Sequence, residues 1–339
     1  MTNMTLPGFV NAHSHTFQRA LRGRVEGDDF WAWRQAMIAE AEVLTPSQVA
    51  ATYERAYREM RAAGYTAVGE FHYVGRKEAR AAIEAAGAAG IELVLLAVAY
   101  GRGGVARFRQ DSVQAYLEWV AQLRESGARV GLAPHSVRAC PKDWLEAIGE
   151  VARREQLVLH VHADEQPREI EECLAEHGRR PIEVLADTGC LGPHTTVIHA
   201  THANDHELDL LAETGTRVCL CPTTEANLGD GFAPVERMVE RGTELCIGSD
   251  SNVRIDPLEE LREIEGVARR RLLRRNVIPP EQLLEIGSTA GGRALGLDAW
   301  PSVRVDLEHR SLYGVPAEQT KAALVFGCGA DVIVGAGAT

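Results

Sequence analysis

The stretch FVNAHSH, residues 9–15, joins a short apolar run to two histidines separated by one residue. Such a run is typical of a buried β-strand, and the histidines stand where that strand would end. Seven further runs of this kind follow along the chain. The eight predicted strands are Phe9 to His13, Thr66 to Phe71, Leu93 to Ala99, Val130 to Pro134, Leu157 to Val161, Thr195 to His199, Thr216 to Cys221 and Glu244 to Gly248.

Longer segments rich in Ala, Glu and Arg separate these strands and carry apolar residues at helical spacing. They include Pro46 to Ala63, Lys77 to Ala89, Gln114 to Ser126, Pro141 to Glu155 and Asp205 to Thr214. Strands that alternate with amphipathic helices are typical of a parallel sheet, and eight repeats predict a (β/α)₈ TIM barrel. The active site of such a barrel lies at the carboxyl ends of its strands, so polar residues there are the first candidates for chemistry.

The composition is that of a globular protein with a sizeable core, since 45% of the 339 residues are hydrophobic and 25% are charged. This length suits one large barrel or two ordinary domains. The formal net charge of −12 would repel a phosphate backbone, so we expect no nucleic-acid partner. A small anionic substrate would need locally placed donors to overcome the same repulsion.

The cysteines and the first residues favour a cytoplasmic protein. Seven cysteines are scattered without paired spacing, which is typical of reduced intracellular proteins. Cys219 and Cys221 would share one face of a strand, and we interpret them as core residues because no second pair stands at zinc-finger spacing. Residues 1–7 lack a signal-peptide pattern, and no apolar stretch is long enough to span a membrane, so we expect no membrane partner.

His13 and His15 would project from the same face of an extended segment, so both side chains can reach one metal ion. Taken alone, the pair is equally consistent with hydrogen-bonded core or surface histidines. Further ligand types stand at later strand ends, namely His162 in LHVHADEQ, His199 in VIHATHA and Asp250 in IGSDSN. Three neutral imidazoles and one carboxylate suit zinc or ferrous iron and leave a position open for water.

His160 faces the same side of its strand as His162 and is therefore a rival ligand. His162 is preferred because Glu165 follows it by three residues, where a carboxylate could shuttle protons for a metal-activated water. The plain alternative for Glu165 is a carboxylate in the first turn of a helix, before Pro167.

Four residues beyond other strands are candidates for binding substrate. Arg138, in PHSVRA with His135, suits recognition of a carboxylate, although a surface salt bridge is the commoner role of an arginine. Gln18 and Tyr73 follow the first and second strands, where neutral donors could orient a substrate or simply belong to polar loops. The segment FWAWRQAM, residues 30–37, is interpreted as packing rather than pocket.

Several motifs of the chain can be taken together. They are PGFVNAHSHTFQRA, YTAVGEFHYV, LAPHSVRA, HVHADEQPREI, VIHATHA, CPTTEANLGDG and GSDSN, and they lie within residues 7–252. The resemblance that they carry covers about residues 6–298. In this order they resemble the formimidoylglutamate deiminases, a family of zinc amidohydrolases in histidine degradation. HSHTFQRA and TEANLGDG are more specific to that family than the general H-x-H and S-D signals of the superfamily.

The resemblance implies a distorted (β/α)₈ barrel of the metal-dependent hydrolase type with one zinc ion per subunit, or a ferrous ion in its place. The ligands that it implies are His13, His15, His162 and Asp250, which selects His162 over His160. It also implies catalytic roles for Glu165 and His199, and substrate contacts from Gln18, Tyr73, His135 and Arg138.

The implied reaction is hydrolytic deimination of N-formimino-L-glutamate to N-formyl-L-glutamate and ammonia. In this hypothesis Asp250 or Glu165 takes a proton from the attacking water, and His199 orients or stabilises the attacking oxygen. Protonated Glu165 then delivers a proton to the leaving nitrogen. The nearest alternative is a related deaminase acting on a purine, pyrimidine or other cyclic amidine, and a non-catalytic metal-binding scaffold is a third reading.

The chain departs from this family at both ends. Relatives carry strands before and after the barrel that build a small β-sandwich, whereas only six residues precede Pro7 here. We therefore expect the sandwich to be reduced or absent. The predicted domains are a barrel over residues 7–298 and a short tail over residues 299–339 that can hold a remnant of the sandwich. We also expect a homodimer.

Overall fold

The computed structural model describes residues 3–27 and 29–336. Eight parallel strands, β2 to β9 in chain order, form a nearly closed barrel, and three further strands form a small separate sheet. The strands are β1 (Asn3–Pro7), β2 (Phe9–Ser14), β3 (Tyr65–His72), β4 (Glu92–Ala99), β5 (Val130–Pro134), β6 (Leu159–Ala163), β7 (Thr195–His199), β8 (Arg217–Leu220), β9 (Leu245–Ile247), β10 (Ser302–Asp306) and β11 (Ile333–Ala336). The predicted (β/α)₈ barrel is confirmed.

Helices surround the barrel and connect its strands. They are α1 (Phe30–Val43), α2 (Pro46–Ala62), α3 (Ala79–Ala89), α4 (Val113–Glu125), α5 (Lys142–Glu155), α6 (Pro167–His177), α7 (Pro181–Asp187), α8 (Asp205–Thr214), α9 (Pro222–Leu228), α10 (Val235–Glu240), α11 (Pro257–Leu272), α12 (Pro280–Ile286), α13 (Thr289–Ala294) and α14 (Thr320–Gly327). Within the described ranges, no helix combines the length and the apolar character that crossing a membrane requires.

Local sequence explains where these elements begin. Thr45 and Gln48 form a reciprocal capping box before α2, and Pro46 occupies its first turn, where a missing N–H costs nothing. Strands β2, β3 and β5 to β7 are buried along their whole length, because helices cover the outside of the barrel and side chains fill its interior. This double burial is why the strands read as continuous apolar runs.

The barrel closes between β2 and β9 through side chains as much as through backbone. The backbone contribution is short, with a single bridge between Ser14 and Asp250. The Asn11 side chain donates a hydrogen bond of 2.6 Å to Ser249 Oγ and accepts one of 3.0 Å from the Ser249 backbone. Ser249 Oγ donates in turn to Asn252 Oδ1 at 2.7 Å. This buried network holds the end of β9 against the end of β2, where the candidate site lies.

The small sheet brings the two ends of the described chain together. Strand β10 pairs antiparallel with β1 on one side and with β11 on the other. Trp300 donates a hydrogen bond of 2.9 Å from its indole N–H to the carbonyl of Gly8, which ties this sheet to the start of β2. Residues before Pro7 and after residue 299 therefore share one sheet, which is much smaller than a sandwich of two full sheets.

Candidate active site

Four buried side chains converge at the carboxyl ends of the barrel strands. His13 lies on β2 and His15 directly follows it, while His162 lies on β6 and Asp250 follows β9. One ligand atom from each of these residues lies within 4.8 Å of the others. Because residues two apart on a strand share a face, the end of β2 supplies two imidazoles to the same point.

The distances between these atoms fit a tetrahedral metal site. Nε2 of His13 lies 3.1 Å from Nε2 of both His15 and His162. Oδ1 of Asp250 lies 3.2 Å from Nε2 of both His13 and His15. Ligand atoms around a tetrahedral zinc with bonds of about 2.0 Å are separated by about 3.3 Å. The four residues therefore match zinc in donor type and in spacing.

Burial prepares these groups to act as metal ligands, which must be unprotonated. Desolvation lowers the pKa of His13 to about 3 and holds the pKa of His162 well below its ordinary value. Burial by itself would raise the pKa of Asp250, but hydrogen bonds with His13 and His15 outweigh it and hold that pKa well below its usual range. Burial therefore favours neutral imidazoles at His13 and His162 beside one carboxylate, which suits a divalent cation.

His160, the rival ligand, lies outside this cluster. Its Nε2 lies 2.9 Å from the backbone carbonyl of Ala294, on the helix α13 at the other end of the barrel interior. His162 is two residues closer to the carboxyl end of β6 and reaches the cluster instead. His162 Nδ1 lies 2.9 Å from the carbonyl of His135, which orients the ring.

Glu165 lies between an imidazole and a guanidinium. Its Oε1 is 3.7 Å from Nε2 of His199, and its Oε2 is 3.7 Å from Nη2 of Arg138. The His199 ring stacks on His162 with centroids 5.5 Å apart, which brings Glu165 and His199 to the metal cluster. Burial raises the pKa of Glu165 to about 7, although His199 and Arg138 oppose the rise. A carboxyl group near neutrality can both accept and return a proton.

His199 carries a strained backbone and a cationic tendency. Burial lowers its pKa, but the carboxylates around it, Glu165 first and Glu225 next, outweigh burial and raise the pKa to about 10. The φ angles of His199, Ala200 and Asp250 are +74°, +50° and +42°, in the left-handed region that non-glycine residues rarely occupy. Such strain is typical of functional sites, where the surrounding structure holds it in place.

The residues predicted to bind substrate lie beside the metal cluster, at the carboxyl ends of the strands. Gln18 donates a hydrogen bond of 3.0 Å to the hydroxyl of Tyr73, and the Tyr73 ring lies edge-on to His15 with centroids 5.3 Å apart. The His135 ring stacks on His162 at 4.9 Å. Burial holds the pKa of His135 well below its ordinary value, so this imidazole is a neutral hydrogen-bonding group.

Arg138 is a largely buried side chain, 16% exposed, that lines a cleft of about 500 Å³. Besides Glu165, its Nε lies 3.7 Å from Oε1 of Glu169, too far for a hydrogen bond. Nε and Nη1 have no hydrogen-bond partner among the described residues. Buried donors without partners are rare in folded proteins, so this guanidinium is suited to receive an anionic ligand.

The start of α1 forms another wall of this cleft, which corrects the interpretation of residues 30–37 as packing. The Trp31 ring lies 4.5 Å from Cζ of Arg168 and 5.7 Å from Cζ of Arg138. Arg34 also lines the cleft, whereas Trp33 packs against the hydrophobic core. Helix α1 therefore packs on the core through one face and lines the cleft through another. Which residues lie on which face depends on how α1 is placed against the barrel.

Three buried acids belong to the site and escaped the sequence reasoning. Glu225 Oε1 lies 3.2 Å from Nδ1 of His199. Glu70 accepts hydrogen bonds from the backbone and the hydroxyl of Thr16, at 2.9 and 2.5 Å. Burial, with the neighbouring Glu165 carboxylate, raises the pKa of Asp230 to about 9. For Glu70 the available signal was a lone acid inside an apolar strand, which needs a buried partner.

Comparison with known proteins assigns this chain to a family. The profile of the Amidohydrolase family matches residues 4–299. The chain is 38% identical to formimidoylglutamate deiminase of Pseudomonas aeruginosa, over 86% of this chain and 72% of that protein. It is 31% identical to 5-methylthioadenosine/S-adenosylhomocysteine deaminase of Halobacterium salinarum, over 87% of this chain and 69% of the relative.

Solved structures agree with this assignment. An amidohydrolase from Brucella melitensis superimposes with a TM-score of 0.87 at 31% identity, covering 97% of this chain and 84% of that one. An adenosine deaminase from Xanthomonas campestris with bound zinc gives a TM-score of 0.89 at 25% identity, covering 99% of this chain and 79% of that one.

Proposed function

The chain belongs to the amidohydrolase family as an enzyme acting on carbon–nitrogen bonds, and we propose that it hydrolyses N-formimino-L-glutamate to N-formyl-L-glutamate and ammonia. The observation that carries this substrate is Arg138, a largely buried guanidinium whose Nε and Nη1 lack hydrogen-bond partners among the described residues, in a chain of net charge −12. A substrate with two carboxylates needs such a cation, whereas a neutral heterocycle does not. The similarity to formimidoylglutamate deiminase supports the same choice.

We infer that a zinc ion is held by the cluster of His13, His15, His162 and Asp250. Ferrous iron is the alternative metal for this donor set. When bound, the ion would make water nucleophilic at neutral pH and stabilise developing negative charge.

The buried acids and bases of the chain would then move the protons. Glu165 would accept a proton from the attacking water as its oxygen bonds to the formimino carbon, and would deliver this proton to the formimino nitrogen. The second proton of the same water would follow by the same route as the carbonyl forms, the C–N bond breaks and ammonia departs. Its pKa of about 7 suits both steps. Asp250 is the alternative acceptor of the first proton. His199 would donate a hydrogen bond to the attacking oxygen.

The glutamate portion of the substrate would be bound by residues beside the metal cluster. Arg138 would pair with one carboxylate, and Arg34 lies on the wall of the same cleft. Tyr73, Gln18 and His135 would donate to the second carboxylate beside His15 and His162. These contacts would overcome the unfavourable charge of the whole chain.

The substrate proposal is tested by Arg138→Met. We expect ammonia release from formiminoglutamate by the wild type, measured beside aminated purines and pyrimidines with zinc analysis of the same sample. In the variant, KM for formiminoglutamate should rise on the order of 10–100-fold, the value of a charge-assisted hydrogen bond. Arg138→Lys, which keeps the charge, should lose less. An unchanged KM in Arg138→Met contradicts the substrate assignment.

A second candidate is deamination of an aminated heterocycle by the same residues. It is supported by the similarity to 5-methylthioadenosine/S-adenosylhomocysteine deaminase. In that case a member of the heterocycle panel would be turned over while formiminoglutamate is not, and Arg138→Met would leave its KM unchanged. For either substrate, Glu165→Gln should abolish ammonia release and keep the zinc.

A further inference from the structure

We propose that Glu225 is a positioning residue for this reaction, which holds the His199 ring so that Nε2 faces Glu165 and the reacting atoms. The inference rests on the proposed hydrolytic function but not on the identity of the substrate. It concerns the far side of His199, which no step described above uses.

The geometry places His199 between two carboxylates. Its Nδ1 lies 3.2 Å from Glu225 Oε1, and its Nε2 lies 3.7 Å from Glu165 Oε1. All three side chains are buried, and Nε2 of His199 has no hydrogen-bond partner within the described part of the chain. The nitrogen on the reaction side is therefore free, while the nitrogen on the other side is engaged.

The chemistry of the pair determines which nitrogen carries the proton. Glu225 Oε1 accepts a hydrogen bond from the backbone N–H of Cys221, so we assign it as the acceptor and Nδ1 of His199 as the donor in their 3.2 Å contact. Nε2, on the opposite side of the ring, then faces Glu165. A partner of this kind fixes both the tautomer and the ring orientation of a histidine.

Glu225 is itself held in place by the fold. It lies in the first turn of α9, where its Oε1 accepts a hydrogen bond of 2.9 Å from the backbone N–H of Cys221 at the end of β8. Its own N–H donates to the carbonyl of Cys221, also at 2.9 Å. The carboxylate therefore has a fixed position, which is what orienting another side chain requires.

The same contacts suggest a merely structural role at the start of α9, and Glu260 offers a matched control for it. Glu260 is a buried carboxyl on α11 that accepts hydrogen bonds from the backbone and hydroxyl of Thr223, at 3.0 and 2.5 Å. It supports the same first turn of α9 as Glu225 does. In the described structure its hydrogen bonds reach Thr223 and not His199.

The kinetic test is a double-mutant cycle. Glu225→Gln should lower kcat on the order of 10–100-fold with KM changed less than about threefold and zinc content unchanged, as for other residues that orient a catalytic group. Glu260→Gln should lower kcat less than about threefold. In a His199→Ala background, Glu225→Gln should cause no further loss, because it acts through His199. An equal loss in both backgrounds, or an equal loss in Glu260→Gln, overturns the proposal.

A spectroscopic test on the wild-type protein does not depend on activity. In wild-type protein with ¹⁵N-labelled histidine, the His199 signal, assigned by its loss in His199→Ala, should show a proton on Nδ1 in a strong hydrogen bond. A proton found only on Nε2 refutes the proposal.

If formiminoglutamate is not turned over, the proposed substrate is wrong, but the proposal about Glu225 is not affected. The cycle is then run on whichever panel compound the wild type deaminates, and the Nδ1 measurement stands regardless.

Discussion

His160 and His162 point to the same face of β6, yet the structure gives them different partners. His162 contributes to the cluster of four ligands, whereas His160 hydrogen-bonds to the Ala294 carbonyl. The alternation of a strand places both side chains inside the barrel but does not say how far along the axis a metal lies. That depth depends on where β2 and β9 end, which is a property of the assembled barrel.

The two histidines provide a matched pair for testing the metal site. We expect His162→Asn to lose most of its zinc, because a four-ligand site becomes a three-ligand one. His160→Asn should keep about one equivalent, since the hydrogen bond of its side chain goes to the Ala294 carbonyl and not to the cluster. The measurement is metal content after dialysis against a weak chelator, with folding checked by circular dichroism. Equal zinc loss in both variants would contradict the assignment of ligands.

At the scale of elements, a buried clamp joins the turn after β2 to β3. Thr16, next to His15, donates two hydrogen bonds to Glu70 in the middle of the buried strand β3. Burial raises the pKa of Glu70 to about 7, although these hydrogen bonds oppose the rise. The clamp fixes the segment that carries His15, so its ionisation affects folding.

The clamp predicts a pH dependence of stability. Because the folded pKa of Glu70 is about 7 and its ordinary value is 4.5, the unfolded chain loses this proton first as pH rises. The contribution of Glu70 to the free energy of unfolding is therefore complete below pH 4.5. It decreases as the pH rises from 4.5 to about 7, by roughly 3 kcal/mol in all. In Glu70→Gln this loss should disappear. Urea unfolding across this window measures it, and the exposed Glu84→Gln serves as control; parallel curves for Glu70→Gln and wild type would contradict it.

Element positions themselves were largely predictable. Each of the eight apolar runs became a strand, because strands buried on both faces have a distinctive composition. Helix α8 has the predicted bounds, and α2 ends one residue early. The dual role of α1 was missed, since amphipathic spacing does not distinguish a helix face that packs on the core from one that lines a cleft.

At the scale of the whole molecule, the site depends on closure of the barrel. Its ligands come from β2, β6 and the segment after β9, which are far apart in sequence. The network of Asn11, Ser249 and Asn252 joins the first and last of these strands. A metal bound to all of them would stabilise the closed barrel over the open chain.

Removal of the metal should therefore lower thermal stability. At a zinc concentration about 1,000 times its Kd, binding adds on the order of 4 kcal/mol to the folded state. We expect chelation to lower Tm by several degrees, measured by differential scanning calorimetry, and added zinc to restore it. The His162→Asn variant should show a much smaller shift. Chelation that leaves wild-type Tm unchanged would argue against a tightly held metal.

The predicted homodimer and the division at residue 298 stay predictions. Sedimentation equilibrium of the purified protein checks the first. The pairing of β1 with β10 bears on the division at residue 298. It joins a strand that precedes the barrel in sequence to one that follows it. A chain shortened after residue 298 would lose β10, the strand that pairs with β1, together with β11.

The sequence alone determined the barrel, the order of its strands and the types of ligand at their ends. The spacing of apolar residues and the residues that follow each strand are local properties of the chain. The sequence already favoured His162 over His160, and tertiary structure showed why His160 stays outside the cluster. Tertiary structure alone decided that Nε and Nη1 of Arg138 lack hydrogen-bond partners among the described residues, and that Glu225 contacts His199. Each of these depends on distances between segments that only packing brings together. His13 and His15 illustrate both cases, since their spacing puts them on one face and closure of the barrel brings His162 and Asp250 to meet them.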